Sequence, residues 1–283
     1  MISLKIIITS LNGAWKNNLR NGLSKDISKR NKSFSSVDFN EIEHMSNLAN
    51  LWWDEKKNSL HAFNPLRVQF VKDGLINAGV KLQNSDLPLK ELKLAEIGCG
   101  GGILTEALAK LGAQVTGIDP SIELINIAQS HVKLNHDLSK RVNYINTTIE
   151  DFVQNEKETY DAVISSEVLE HVASPELFLK ECTKIVKPGK SIFITTINKT
   201  LTSLLSTILL NEYILHNIPR GTHQWNKFIS PQEVQRLLEK YDCQTKLIQG
   251  IRLNSFTKQW FITSKTSTFY ALHAVKQKKI ISM

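Results

Sequence analysis

The chain has 283 residues, 41% of them apolar and 22% charged, a balance that excludes a disordered tract, a collagen-like repeat and a small disulfide scaffold and allows one large domain. The formal charge of +8 sits at the ends: residues 1–34 contribute +6 and the last eight residues three lysines, so residues 35–275 carry a net −1. That distribution argues against a nucleic-acid surface, and three scattered cysteines (Cys99, Cys182, Cys243) without a C-x-x-C pair argue against a disulfide framework or structural zinc and fit a reducing compartment.

Residues 1–34 combine five serines, scattered Lys/Arg, an Ile6-Ile7-Ile8 run and a single acid, Asp26, the profile of a mitochondrial transit peptide that is cleaved rather than folded; the alternative is a basic tail that stays attached. A domain over 35–283 is expected to follow. Phe39 to Trp53 has helical periodicity and reads as a lid or packing helix. From about residue 90 the pattern alternates: strand Leu92–Ile97, helix Ile103–Leu111, strand Gln114–Ile118, helix Ile122–Leu134, strand Val142–Asn146, strand Tyr160–Ser165, helix Pro175–Val186 and strand Ser191–Thr196. Strands separated by helical spacings imply an α/β, Rossmann-like fold with a mostly parallel sheet and helices on both faces. Within an insertion near 199–227, Leu201, Leu204, Leu205, Ile208 and Leu209 form an apolar stripe over Leu201–Ile218. Polar breaks make this an amphipathic helix rather than a membrane span, lying either on the sheet or, with Lys199, Arg220 and Lys227 flanking it, on a membrane.

Ligands of such sheets bind at the carboxyl ends of the strands. The first strand-to-helix turn reads Glu96-Ile97-Gly98-Cys99-Gly100-Gly101-Gly102, where glycines let a ligand approach the backbone. A dinucleotide fingerprint needs glycine where Ile103 stands, and Glu96 would repel a pyrophosphate but accept a hydrogen bond from an ammonium group, which suits the amino-acid moiety of S-adenosylmethionine and disfavours a nicotinamide dehydrogenase. Asp119, 23 residues after Glu96, ends the second strand where a carboxylate takes both ribose hydroxyls.

This loop with Asp119, the segment Ser166-Glu167-Val168-Leu169-Glu170-His171-Val172, the phrases Val186-Lys187-Pro188-Gly189 and Asn64-Pro65-Leu66-Arg67, and Pro219-Arg220-Gly221-Thr222-His223 together resemble the ubiquinone biosynthesis O-methyltransferase family over residues 38–275. The resemblance implies a class I methyltransferase fold with a seven-stranded sheet. It implies S-adenosylmethionine contacts from Arg67, Gly98, Gly100, Asp119 and Ser166, the last through its backbone, with adenine near Ile149, Glu150 and Asp151. It further implies a magnesium ion on Glu167, Glu170 and His171, and polyprenylated phenolic substrates of the dihydroxybenzoate and demethylubiquinol types. The enzyme would then sit peripherally on the matrix side of the mitochondrial inner membrane, on an anionic surface beside other ubiquinone biosynthesis proteins. A non-catalytic scaffold of that assembly is the alternative, but it should have lost the glycines or Asp119, and both remain.

If one helical turn runs on from Glu167, Glu170 and His171 fall at i+3 and i+4 on its side, so two carboxylates and an imidazole can converge. Magnesium prefers oxygen ligands, and the histidine keeps zinc and manganese open. A phenol is mostly protonated at neutral pH, and a cation shared by two adjacent phenolic oxygens stabilises the catecholate, which makes a vicinal diol the fitting acceptor. His171 serves either as metal ligand or as the catalytic base.

Overall fold

The structure, a computed structural model, describes residues 35–81, 86–205, 224–254, 257 and 259–278. The chain divides into two units, Met1–Ser36 and Val37–Met283; of the first, only Ser35 and Ser36 are among the described residues.

The second unit opens with α1 (Phe39–Asn47), N-capped by Asp38, whose carboxylate accepts from the Asn40 N–H at 3.0 Å. The helix stops at Asn47 rather than running to Trp53, and a short 3₁₀ turn, Ala49–Leu51, follows. The physical reason lies in the two tryptophans after it. Trp53 stacks on His131 with ring centroids 3.3 Å apart, and its indole N–H donates to the Gly101 carbonyl at 3.0 Å, contacts that a continuous helix would swing away. Helix α2 (Leu60–Asn77) comes next.

Alternation then proceeds as β1 (Lys93–Ile97), α3 (Ile103–Lys110), β2 (Gln114–Asp119), α4 (Ile122–Val132), β3 (Val142–Asn146), β4 (Tyr160–Ser166), α5 (Pro175–Ile185) and β5 (Val186–Ile197). Each of α4 and α5 starts on a serine, Ser121 or Ser174, whose hydroxyl accepts a backbone N–H of the first turn. After α6 (Pro231–Lys240), β6 (Cys243–Leu253), β7 (Trp260–Thr263) and β8 (Phe269–Lys276) complete the sheet. Its order among the described residues is β3-β2-β1-β4-β5-β8-β6-β7, parallel from β3 through β5 and antiparallel beyond. The sheet thus has eight strands, not seven, because the chain folds back after β6 into the short edge strand β7 before β8 inserts beside β5.

Strand pleating sorts side chains to two apolar layers. Ala95, Ile97 and Val163 face α5 and α6 side chains such as Phe178, Leu179, Leu237 and Leu238, while Leu94, Ala162 and Ile164 face Phe70, Leu104 and Ile125 of α2, α3 and α4. Of the expected helix Leu201–Ile218, one turn, Leu201–Ser203, is seen, and residues 206–218 lie outside the described residues. Among the described residues no helix is long and apolar enough to cross a membrane.

Candidate active site

Strand order reverses between β1 and β4, and the loops leaving these two strands form the crevice where sheets of this kind bind ligands. After β1, Gly98 and Gly100 adopt left-handed backbone, φ 77° and 55°. A Cβ at Gly98 would collide with Val168 in the loop after β4, and one at Gly100 with the Trp52 ring. The glycines therefore admit close packing by the protein's own side chains as well as any ligand, and the two loops touch through Val168.

Asp119, at the end of β2, is only 8% exposed. Its Oδ2 accepts from the Gly100 N–H at 3.0 Å and its Oδ1 from the Ser121 N–H at 2.9 Å. Burial pushes its carboxyl up to about 6 against the pull of those two bonds. Glu96, which pleating turns toward α3, accepts a short hydrogen bond from the Thr105 hydroxyl; burial raises it to about 7, opposed by Thr105 and by the charge of Arg67. Arg67, buried on α2, donates to Ser166 Oγ at 3.3 Å, to the Leu60 carbonyl at 3.3 Å and to Asn64 Oδ1 at 3.0 Å. Ser166 also bonds Thr195 Oγ1 at 2.8 Å, so its side chain is engaged within the protein.

The turn after β4 departs from the helical geometry assumed for Glu167 to His171. Glu167 sits at φ 57°, a strained setting for a residue with a Cβ, and only Leu169–His171 turns, as a 3₁₀ segment. Glu167 accepts from Thr195 Oγ1 at 2.8 Å and Glu170 from Thr196 Oγ1 at 2.7 Å, both donors coming from β5. Burial together with the charge of neighbouring Glu170 raises Glu167 well above the usual carboxylate range. His171 does not join them. The 3₁₀ turn carries it toward α1, where its Nδ1 lies 2.9 Å from Glu41 Oε2. Among the described residues no group of three His, Cys, Asp or Glu side chains is placed to hold a metal ion. As oxygen donors, the neighbouring carboxyls Glu167 and Glu170 are of the type that magnesium takes.

Glu41 escaped sequence reading. It also accepts from Lys227 Nζ at 2.7 Å and Gln224 Nε2 at 3.2 Å. Burial would raise its carboxyl, but the bonds and charges of His171 and Lys227 outweigh that and hold it down to about 2. Lys227 is therefore not a cation offered to a membrane: its side chain is 15% exposed and salt-bridged to Asp38 and Glu41. Helical spacing around Phe39 marked α1 as a cover, but nothing local signalled which of its acids points inward.

A family model described as a methyltransferase domain matches residues 74–246. A Homo sapiens protein named ubiquinone biosynthesis O-methyltransferase, mitochondrial, is 42% identical over 248 residues, covering 87% of this chain and 67% of the relative. The ubiquinone biosynthesis O-methyltransferase of Pelagibacter ubique (strain HTCC1062) is 38% identical over 244 residues, covering 86% of this chain and 99% of the relative. Among solved structures, the magnesium protoporphyrin IX methyltransferase of Synechocystis PCC 6803 with bound SAH superposes with a TM-score of 0.52 at 18% identity, covering 75% of this chain and 82% of that one, a likeness of fold.

Proposed function

The chain belongs to the ubiquinone biosynthesis O-methyltransferases, S-adenosylmethionine-dependent enzymes, and we propose that it methylates catechol-type hydroxyls of polyprenyl dihydroxybenzoate and demethylubiquinol at the crevice between the β1 and β4 loops. The observation that carries this reading is the Glu167–Glu170 carboxyl pair on the β4 loop, in contact through Val168 with the glycine loop on the donor side. A non-catalytic scaffold is not favoured, since the glycine loop and Asp119 are intact.

On the donor side, Asp119 accepts the two ribose hydroxyls with the lone pairs that Gly100 and Ser121 leave free, a carboxylate having about four acceptor sites. Glu96 receives the ammonium group, Arg67 closes the far wall, and Gly98 and Ser166 contribute backbone. On the acceptor side, Glu167 and Glu170 would hold a magnesium ion, which would supply positive charge against the developing catecholate. Zinc or manganese would serve the same carboxyls. Thr195 and Thr196 orient these carboxyls through their hydroxyls. His171, next to Glu170 in sequence but turned toward Glu41, would take the hydroxyl proton or complete the ion's shell. Turnover should stop in chelator and return with added magnesium while donor binding persists, and Glu170→Gln should raise the half-activating magnesium concentration about tenfold or more. Full turnover of metal-stripped enzyme in chelator would overturn the cation's role and leave Glu167 and Glu170 as polar lining.

The names of the human and Dictyostelium discoideum relatives include "mitochondrial", and residues 1–34 have the composition of a transit peptide, which together support a mitochondrial location. Exposed Phe39, Leu201, Leu205 and Trp225, with Lys199 over the Trp225 ring, support peripheral attachment to the anionic matrix face of the inner membrane, where prenylated substrate and the other proteins of the pathway would meet it.

A further inference from the structure

Two adjacent tryptophans follow α1, and their indole nitrogens meet different fates. Trp53 Nε1 donates to the Gly101 carbonyl at 3.0 Å, and its ring stacks on His131. Trp52 lays its ring across the glycine loop: a Cβ at Gly100 would collide with its Cζ2, and one at Gly101 with its Cδ1 and, at 2.9 Å, with its Nε1. Yet Trp52 Nε1, although buried, has no acceptor among the described residues. A buried indole N–H usually finds a partner, because leaving one unmade is costly. Slack in the chain does not explain the exception. The Trp52 carbonyl accepts from Asn58 Nδ2 at 3.0 Å and lies 3.0 Å from His61 Nε2, while Trp53 anchors the next residue, so the ring is held from both sides.

An indole N–H can only donate, so the group that would complete it is an acceptor. The glycines under Trp52 adjoin both acids of the donor site: they follow Glu96 along the loop, and the Gly100 N–H donates to Asp119. With Asp119 accepting from the ribose hydroxyls and Glu96 from the ammonium, the strong acceptor that the donor brings to this loop is the carboxylate on the same carbon as the ammonium. Arg67 already commits three of its N–H groups to Ser166, Leu60 and Asn64. We propose that Trp52 is a donor-binding residue, its indole N–H donating to the carboxylate of S-adenosylmethionine while its ring backs the glycine loop. The inference rests on the donor site read above. A neutral N–H suits the place, since it gives a charge-assisted bond to the carboxylate without setting another cation beside the sulfonium. Trp52 thereby distinguishes the intact donor from its decarboxylated form, whose binding would leave the N–H unpaired.

The test uses the purified full chain and Trp52→Phe, which keeps an aromatic ring and removes the N–H, with S-adenosylmethionine and decarboxylated S-adenosylmethionine as probes. By calorimetry, Trp52→Phe should weaken S-adenosylmethionine about tenfold or more and leave the decarboxylated probe within about twofold. In a ¹⁵N-tryptophan spectrum assigned by triple-resonance methods, the wild-type Trp52 indole N–H should move downfield with S-adenosylmethionine and stay in place with the decarboxylated probe. An equal loss on both probes would mean that the ring only packs, and would overturn the proposal. So would an unchanged Kd for S-adenosylmethionine in Trp52→Phe, or an indole resonance that ignores it. Wild-type protein that fails to bind S-adenosylmethionine overturns the donor-site reading as well, whereas tight wild-type binding matched by Trp52→Phe overturns this proposal alone. Should Trp52→Phe fail to fold, the wild-type indole resonance decides.

Discussion

At the scale of single residues, Asp119 shows how burial sets function against stability. Its carboxyl is raised to about 6 in the fold, above the ordinary value near 3.8. A raised acid binds its proton more tightly when folded, so the ionised form costs stability above pH 6, on the order of 2–3 kcal/mol, and the cost is relieved as pH falls through 6 toward 3.8. On the proposed ribose assignment, donor binding runs the other way, because two ribose hydroxyls need the ionised acceptor. Donor affinity, followed by calorimetry, should therefore fall below about pH 6 by up to tenfold per unit while the apo protein does not lose stability from this group. Asp119→Asn should weaken donor binding by about 2–4 kcal/mol. An unchanged Kd would sink the ribose assignment. Asp119 and Glu96 were legible in the sequence because each stands near the carboxyl end of its own strand, β2 and β1, next to the glycine loop or in hydrogen-bond reach of it. Glu41 was not, since only folding brings it to His171.

Among the elements, the glycine loop and the segment after β4 carry the site, and their behaviour differs. Glycines at positive φ announce themselves in sequence, whereas Glu167 takes left-handed backbone with a full side chain and so gives no such sign. It is held there by its N–H donating to the Thr195 carbonyl at 2.9 Å and its carboxyl accepting from the Thr195 hydroxyl. The start of the amphipathic insertion presents Leu201 and Leu205 at 70% and 57% exposure, so replacing them leaves the core untouched. Leu201→Glu with Leu205→Glu should release the protein from cardiolipin-containing liposomes in a flotation assay and keep both melting temperature and turnover of a soluble catechol. Undiminished flotation would remove this patch from the membrane surface.

For the whole molecule, the compact unit begins at Val37, and the basic segment 1–34, proposed as a leader, precedes it in sequence. A chain starting at residue 35 should match the full chain in melting temperature and in turnover of a soluble catechol, while losing import in an isolated-mitochondria assay. Import at full rate without the leader would count against a transit peptide. The alternation of strand and helix, the glycine loop, Glu96 and Asp119 were determined by sequence alone, because periodicity, turn chemistry and short loop spacings are local properties. Only the tertiary structure decided that α1 stops for two tryptophans to reach the glycine loop and His131, and that β7 adds an eighth strand. It alone turned His171 away from Glu167 and Glu170 toward a carboxylate 130 residues earlier, and enclosed Lys227 in an ion cluster rather than leaving it on a surface. These outcomes depend on which distant groups share a buried space, where an unpaired charge or donor is costly, and no pattern along the chain encodes that pairing.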